Sequence, residues 1–391
     1  MASEPLNLES PVRYSAGASL QLVAVMIAAL VAIFWLSPLS ALYAYLWAYC
    51  CVVAVPLGAL AVVMLQHMTG GAWGVVIRRP LEAAMRTMPI MALLFVPIAY
   101  FADHIYPWAH ETLPGQKSLY LNLKWFWIRN AVYFTIWILL SLVFNFWSRR
   151  QDRGAPESYE RRFRLLAGPG LVLYGLTITF ASIDWVMSLE PEWFSSIYGV
   201  LFGCGQLLSA LSFGIVVVLL LANRSPFRET LTAGHLRDLG NMLLAFVMVW
   251  AYMSVSQLIL IWSANIREEV THYQARITGG WAAVAVAIAG LQFALPFFFL
   301  LGRGAKRDPI ALMRIAGLVL AMRIVDMYWL IAPTRPVSDE GTMHTLTVYL
   351  ADPIVLVCVV GLWLLIYRMQ LSRWPLLPVG VDASVAEDHH G

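Results

Sequence analysis

Residues 179–199 read TFASIDWVMSLEPEWFSSIYG and lie at the middle of the 391-residue chain. One apolar run leads into this stretch and another leaves it, with Asp184, Glu190 and Glu192 between them. Asp184 comes before the first run has ended, so we expect it to lie within a membrane. An ionisable side chain is costly there and is a candidate functional residue.

The composition around this stretch predicts a polytopic membrane protein. The chain is 60% hydrophobic and only 13% charged, whereas soluble domains are about 25% charged. A net charge of +3 gives no reason to expect nucleic acid as a partner. The N-terminal segment carries acids and lacks the basic region that opens a cleaved signal peptide.

Ten apolar runs are long enough to cross a bilayer as helices, which takes about 20 residues each. They define an all-α membrane domain over residues 15–373, preceded by a segment at 1–14 and followed by a polar tail at 374–391. The predicted spans are 15–35, 41–65, 88–106, 125–147, 165–187, 194–222, 239–264, 278–301, 310–332 and 347–369.

The basic residues predict the orientation, because cytoplasmic loops are rich in Lys and Arg. Eighteen Lys and Arg residues fall on one side of the predicted spans and five on the other. We therefore expect both termini in the cytoplasm of a bacterium, the chain in its inner membrane and the central stretch on the outer face. The five outer residues are Lys117, Lys124, Arg267, Arg276 and Arg335.

Residues 70–86, GGAWGVVIRRPLEAAMR, are too charged to read as a span. We expect them to lie along the cytoplasmic interface, as amphipathic segments do. Pro89 would then mark the start of the third span, because proline is tolerated in the first turn of a helix.

The sequence offers no cofactor ligands within the spans. The eight histidines fall in loops, at span ends or in the tail, and the four cysteines form no CxxC pair. Haem and iron–sulfur clusters need such ligands, so we expect neither these groups nor a metal site in this chain.

The ionisable residues within the spans gather in the predicted outer half. Two interpretations stand side by side. The residues are structural ion pairs between helices, or they form an outward-facing polar pocket or proton path in which an uncompensated carboxylate carries a proton. We assign Asp184, Asp326, Arg323 and Glu190 to the path and Asp103, His104, Arg129 and Asp352 to structural pairs.

Spacing suggests partners for two of these groups. Arg323 and Asp326 are three residues apart and share a helix face. Arg129 needs a carboxylate, and Asp103 or Asp184 is the best candidate. Trp185 and Trp193 fit an interfacial aromatic belt better than a quinone-stacking site.

Two motifs resemble a known family. SLEPEWFSSIYG at 188–199 and HMTGGAWGVVIRRPLEAAMRTMP at 67–89, with the ten-span layout, are similar to the polysulfide-reductase membrane-subunit (NrfD-like) family, in particular to the F-type subunits of bacterial alternative complex III. The resemblance covers nearly the whole chain. It implies two four-helix bundles, at about 41–187 and 194–332, with peripheral spans at 15–35 and 347–369.

The resemblance also implies partners. These are a sister NrfD-like subunit, periplasmic subunits with iron–sulfur clusters and c-type haem, and surrounding lipid. The expected function is therefore that of a redox-cofactor-free, non-catalytic or quinone-interacting subunit of a quinol:cytochrome c oxidoreductase, which supports assembly and contributes to proton translocation or quinone binding. Two alternatives are a proton-coupled transporter, which would need polar residues at the bilayer midplane, and a purely structural scaffold.

Overall fold

The described part of the chain is helical throughout. The structure is a computed structural model that describes residues 16–111, 115, 117–153, 156–336 and 351–378, and no strand occurs among them. The predicted segment 1–14, the start of the tenth span and most of the polar tail lie outside these residues. This agrees with the all-α class predicted from the length of the apolar runs, since a membrane-spanning helix needs about 20 mostly apolar residues.

Sixteen α-helices follow one another along the residues that the structure describes. They are α1 (Ala16–Leu36), α2 (Pro38–Thr69), α3 (Ala72–Met85), α4 (Met88–Tyr100), α5 (Ala102–Ile105), α6 (Lys117–Tyr120), α7 (Leu123–Gln151), α8 (Pro156–Trp185), α9 (Tyr198–Leu220), α10 (Phe227–Thr230), α11 (Ala233–Ala264), α12 (Arg267–Ile277), α13 (Trp281–Ala287), α14 (Leu295–Leu301), α15 (Pro309–Ile331) and α16 (Ala351–Leu371).

Among the described residues, eight helical segments are long and apolar enough to cross a membrane, and a ninth is added if the bent pair α3–α4 counts as one span. The eight are α2, α7, α8, α9, α11, the α13–α14 segment, α15 and α16. Helix α1 is apolar, but its side chains are described only for Leu20–Leu36. This segment is too short to be counted among the eight. A multi-pass membrane protein is thus supported, with eight or nine spans found by length and composition.

Helix α2 occupies the centre of the molecule. It packs against α3, α8, α9, α15 and α16. In its most apolar 18-residue segment, 89% of the residues are buried inside the protein. Such a helix carries apolar residues on all sides rather than on one stripe. Trp47 ties α2 to α15 through a hydrogen bond from its Nε1 to the carbonyl oxygen of Ile324, 3.1 Å away.

Gly58 lets α2 approach α9 closely. A Cβ at this position would lie 2.0 Å from the backbone oxygen of Gln206. Small residues let two membrane helices approach to backbone contact, where dispersion forces are strongest. The packing of α2 on α9 therefore depends on the missing side chain.

The prediction that residues 70–86 lie along the interface is wrong for α3. All of its described side chains, from Trp73 to Met85, are buried, including Arg78, Arg79 and Glu82. Helix α3 enters the protein beside α2 and α9 and meets α4 at a bend of 43°. The charges are tolerated because they pair inside the protein, a compensation that a count of charged residues does not reveal. Helix α4 does begin where Pro89 indicated, at Met88.

The segment 281–301 crosses the molecule as three consecutive helices. Helices α13 and α14 are separated by a π-helix, Ile288–Ala294, which has one residue more per hydrogen-bonded turn. Pro296, the second residue of α14, cannot donate the backbone hydrogen bond that a continuous α-helix would need. π-Helical turns are rare and often occur at functional sites.

Substitution of Gly58 by Ala tests the contact between α2 and α9. We expect the added methyl group to destabilise the protein by about 1–3 kcal/mol, because the opposing atom is backbone and cannot rotate away. The measurement is thermal unfolding of the purified protein in detergent, followed by tryptophan fluorescence. Gly175→Ala is the matched control, since a Cβ there would meet no described atom within 4 Å. Equal melting temperatures for the two variants would contradict the packing argument.

Candidate functional site

The central stretch folds as a compact turn between α8 and α9. Helix α8 ends at Trp185, and a 3-10 turn follows at Met187–Leu189. The hydroxyl of Ser188 donates to the carbonyl oxygen of Asp184 at 2.8 Å, which satisfies one of the free carbonyls at the end of the helix. Pro191 then prevents the helix from continuing. The turn fixes Asp184 on the protein side of α8 and Glu190 at its tip.

Asp184 is fully buried and receives three hydrogen bonds. Arg129 of α7 donates from Nη2 to Oδ1 at 2.7 Å and from Nε to Oδ2 at 3.0 Å, and the hydroxyl of Tyr133 donates to Oδ2 at 3.0 Å. The guanidinium also lies 3.9 Å from the ring centroid of Tyr120. Of the two carboxylates proposed for Arg129, Asp184 is the partner. This two-pronged ion pair is directional and holds α7 to α8.

Glu190 forms a second cluster with α12. His272 Nδ1 lies 2.6 Å from one carboxylate oxygen, and Arg276 donates to both oxygens at 3.0 and 3.2 Å. His272 and Arg276 are four residues apart, so they share one face of the helix. Trp193, from the same turn as Glu190, stacks on the imidazole with ring centroids 3.7 Å apart. The turn is therefore locked onto α12 by one ion pair and one aromatic stack.

Burial and charge shift both titrating groups of this cluster. Burial alone raises the pKa of Glu190, but the charge of Arg276 and the hydrogen bond from His272 outweigh it and lower the pKa to about 2. Burial and the nearby Arg276 lower the pKa of His272 to about 4. At neutral pH the cluster therefore holds a carboxylate, a guanidinium and a neutral imidazole.

Arg323 and Asp326 pair with each other on α15, as their spacing predicted. Both are buried. Gly205 of α9 makes room for the guanidinium, because a Cβ there would lie 2.2 Å from Nη2 of Arg323. The ring of Trp250 lies 6.0 Å from the guanidinium carbon on another side. Three helices thus enclose this pair.

A cavity of about 250 Å³ lies between α9, α11, α12, the π-helix and α15. Its wall is mostly apolar, and its polar members include Arg323, Asp326, His272 and Gln257. Oε1 of Gln257 is buried without a hydrogen-bond partner among the described residues. The cavity therefore links the ion pair within α15 to the Glu190 cluster, through His272.

The predicted path residues do not all meet. Asp326 and Arg323 line the cavity and Glu190 contacts it through His272, but Asp184 is not part of its wall. The bidentate pair with Arg129 instead gives Asp184 the geometry of a structural ion pair. Asp184 therefore lies apart from the other three residues that the sequence predicts for the proton path.

The remaining structural candidates have partners too. Asp103 and His104 form an exposed pair with each other, 2.7 Å apart. Asp352 of α16 accepts from Arg335 at 2.9 Å and from the hydroxyl of Tyr328 at 2.7 Å. In the sequence Arg335 is one of the five outer charges. Its partner Asp352 lies 17 residues further along the chain, a separation that no helical spacing indicates.

One buried cluster was not foreseen in the sequence. Glu82 of α3 pairs with Arg78 at 2.8 Å and Arg79 at 2.9 Å, and accepts from Ser148 of α7 at 2.7 Å. Arg79 also pairs with Asp152 at the end of α7. The sequence does contain a sign of this cluster: Arg78 and Arg79 precede Glu82 by four and three residues, the spacings at which side chains on a helix can pair. The described residues contain no group of three or more His, Cys, Asp or Glu side chains placed to hold a metal ion.

Comparison with known proteins adds no identity. No protein-family profile matches the chain, and no curated protein matches it significantly.

Removing one charge of the Arg129–Asp184 pair should destabilise the protein strongly. In Asp184→Asn the mostly buried guanidinium of Arg129 loses its counter-ion, and we expect a loss of about 3 kcal/mol in the free energy of unfolding. The double variant Arg129→Gln/Asp184→Asn removes both charges and should recover part of that loss. Thermal unfolding in detergent measures both variants. If the double variant were no more stable than the single one, the pair would not be the source of the effect.

Acid should weaken the contact between the central turn and α12. His272 has a lowered pKa in the fold, so its contribution is fully present above its ordinary value of 6.5 and is lost as the pH falls toward 4. Glu190 also has a lowered pKa, so its contribution to stability is present above its ordinary pKa of 4.5 and is lost as the pH falls toward 2. The melting temperature should therefore fall between pH 7 and pH 4.

His272→Gln is the control for this pH dependence. The amide can still donate to Glu190 but does not titrate, so the melting temperature should fall less over the same pH range. Identical slopes for the variant and the wild type would rule out His272 as the group responsible.

Proposed function

We propose that this chain is a membrane subunit of a quinol:electron-acceptor oxidoreductase and that it carries no redox cofactor of its own. In this proposal it binds a sister NrfD-like subunit and supports proton movement. The observation that carries it is the buried Arg323–Asp326 pair in the wall of a cavity that reaches the Glu190–His272 contact. The sequence motifs at 67–89 and 188–199 supply the link to quinol oxidation.

The proposed proton route runs from Asp326 through the cavity to His272 and Glu190. A carboxylate within a membrane span is expensive and is typical of proton relays in pumps and transporters. A cavity of about 250 Å³ has room for several water molecules, each of which takes about 30 Å³ in the liquid. The buried oxygen of Gln257 is an acceptor that such water could satisfy. His272, neutral at pH 7, can take up a proton from this water and pass it to Glu190, whose partly exposed carboxylate is in contact with it.

The finer architecture belongs to the same proposal. We count ten spans, adding α1 and the bent α3–α4 pair to the eight others. We place the basic helix ends in the bacterial cytoplasm and the Glu190 turn on the periplasmic face. The two halves of the chain would form the two bundles of the family, joined where α2 packs against α9.

A second candidate is a scaffold without a proton path. It is favoured by the pairing of Asp184, Glu190, Asp326 and Asp352, each with an arginine. In a scaffold these pairs only hold helices together, so exchanging the two charges of a pair should leave turnover unchanged.

Asp326→Asn decides between the two candidates. We expect complexes that assemble with this change to oxidise quinol but to release fewer protons per electron, because the amide cannot carry a proton. Glu190→Gln should show the same direction of change. The measurement is proton release against electron transfer in proteoliposomes that contain the purified complex.

Asp352→Asn and Asp184→Asn are the matched controls, since neither carboxylate lines the cavity. Complexes that assemble with these changes should keep the full proton-to-electron ratio. If Asp326→Asn and Glu190→Gln complexes also assembled normally with full turnover and full ratio, the proposed route would be wrong.

A further inference from the structure

A second cavity, of about 710 Å³, lies at the basic ends of α7 and α16. It is remote from the Arg323–Asp326 site, and none of the residues proposed for the proton route lines it. Three arginines do line it: Arg86 at the bend between α3 and α4, Arg149 in the last turn of α7, and Arg373 just after α16.

The three guanidiniums form no ion pair with a carboxylate in the described part of the chain, and the one carboxylate whose charge acts on Arg86 is Glu82, which is itself paired with Arg78 and Arg79. Arg86 donates only to neutral oxygens, the side chain of Asn145 at 2.9 Å and the backbone of Gln370 at 3.0 Å, and its Nε is buried without a described partner. Arg149 and Arg373 are close enough for their like charges to repel. This contrasts with the buried cluster on α3, where Glu82 and Asp152 balance the arginines.

Aromatic stacking holds two of these arginines in place. Trp374 lies under the guanidinium of Arg149 at 3.9 Å and near that of Arg86 at 5.1 Å. These contacts join the end of α16 to α7 and to the bend between α3 and α4. Packing therefore brings the positive charges together, and Arg149 and Arg373 are exposed, so an anion from outside the protein can reach them.

The same cavity has an apolar stripe that points along α7. Leu142 and Phe146 line it and are 55% and 51% exposed. Residues 142, 146 and 149 follow one another at spacings of four and three, so they share one face of the helix. Leu142 lies about 10 Å from Arg149 along the axis at 1.5 Å per residue. An anionic headgroup at Arg149 would thus have an acyl chain directly below it.

We propose that this cavity binds one anionic phospholipid, with its phosphate between Arg149 and Arg373 and a chain against Leu142 and Phe146. The apolar stripe favours a lipid over free phosphate, which would use only the arginines. Basic pockets between membrane helices bind anionic headgroups in this way. The inference is independent of the proposed function.

Native mass spectrometry of the detergent-purified full chain tests this inference. The probes are dioleoylphosphatidylglycerol, dioleoylphosphatidylcholine and inorganic phosphate. The wild type should bind the anionic lipid at one saturable site in preference to the zwitterionic one. Arg149→Gln/Arg373→Gln should weaken that binding by at least about tenfold, the loss expected from charge-assisted hydrogen bonds to phosphate.

Two variants serve as controls. Arg228→Gln/Arg303→Gln removes two exposed charges from other basic loops, neither of which lines the cavity, and should leave the affinity unchanged. Arg149→Lys keeps the positive charge and should lose less than the glutamine variant. Equal binding of the two lipids by the wild type would overturn the proposal without any variant.

Two further results would also overturn it. One is an unchanged affinity in folded Arg149→Gln/Arg373→Gln protein. The other is complete displacement of the anionic lipid by inorganic phosphate at an equal concentration, which would identify a site for phosphate alone.

Discussion

The cost of placing a charge in an apolar medium governs this structure. An isolated ionised group in a membrane loses its hydration, and pairing with good hydrogen-bond geometry is what makes its burial tolerable. The Arg129–Asp184 pair meets this condition with two parallel hydrogen bonds and a third from Tyr133. It joins α7 to α8 just before the chain turns back, and so it sets the position from which Glu190 reaches α12.

The two carboxylates of the central stretch therefore differ in environment more than in sequence context. Each accepts three hydrogen bonds, two of them from an arginine, but the third donor is Tyr133 at Asp184 and His272 at Glu190. His272 also lines the cavity and can change its protonation state. Perturbed titratable groups that meet at a cavity are candidates for proton chemistry, which favours Glu190 over Asp184.

The sequence predicted the apolar helices and the Arg323–Asp326 pair, because both depend on short-range spacing. For Arg129 it left two candidate carboxylates, Asp103 and Asp184, and the structure shows that Asp184 is the partner. The contacts of Glu190 with α12 connect residues 82 and 86 positions apart, and no periodicity records such a pairing. The π-helix was also missed, since its residues are as apolar as those of an α-helix. The burial of α3 was misjudged because its counter-charges and hydrogen-bond donors lie partly on α7.

That last feature has a consequence for how the protein is made. Arg78 of α3 donates to Gln151, and Arg79 pairs with Asp152, both from a part of the chain about 70 residues later. At synthesis rates of about 5–20 residues per second, the partners of α3 leave the ribosome several seconds after it does. When α3 leaves the ribosome, Arg78 and Arg79 therefore have only Glu82 as a counter-charge, and their remaining contacts form after α7 has been made. The packing of a helix early in the chain is thus completed by a later one.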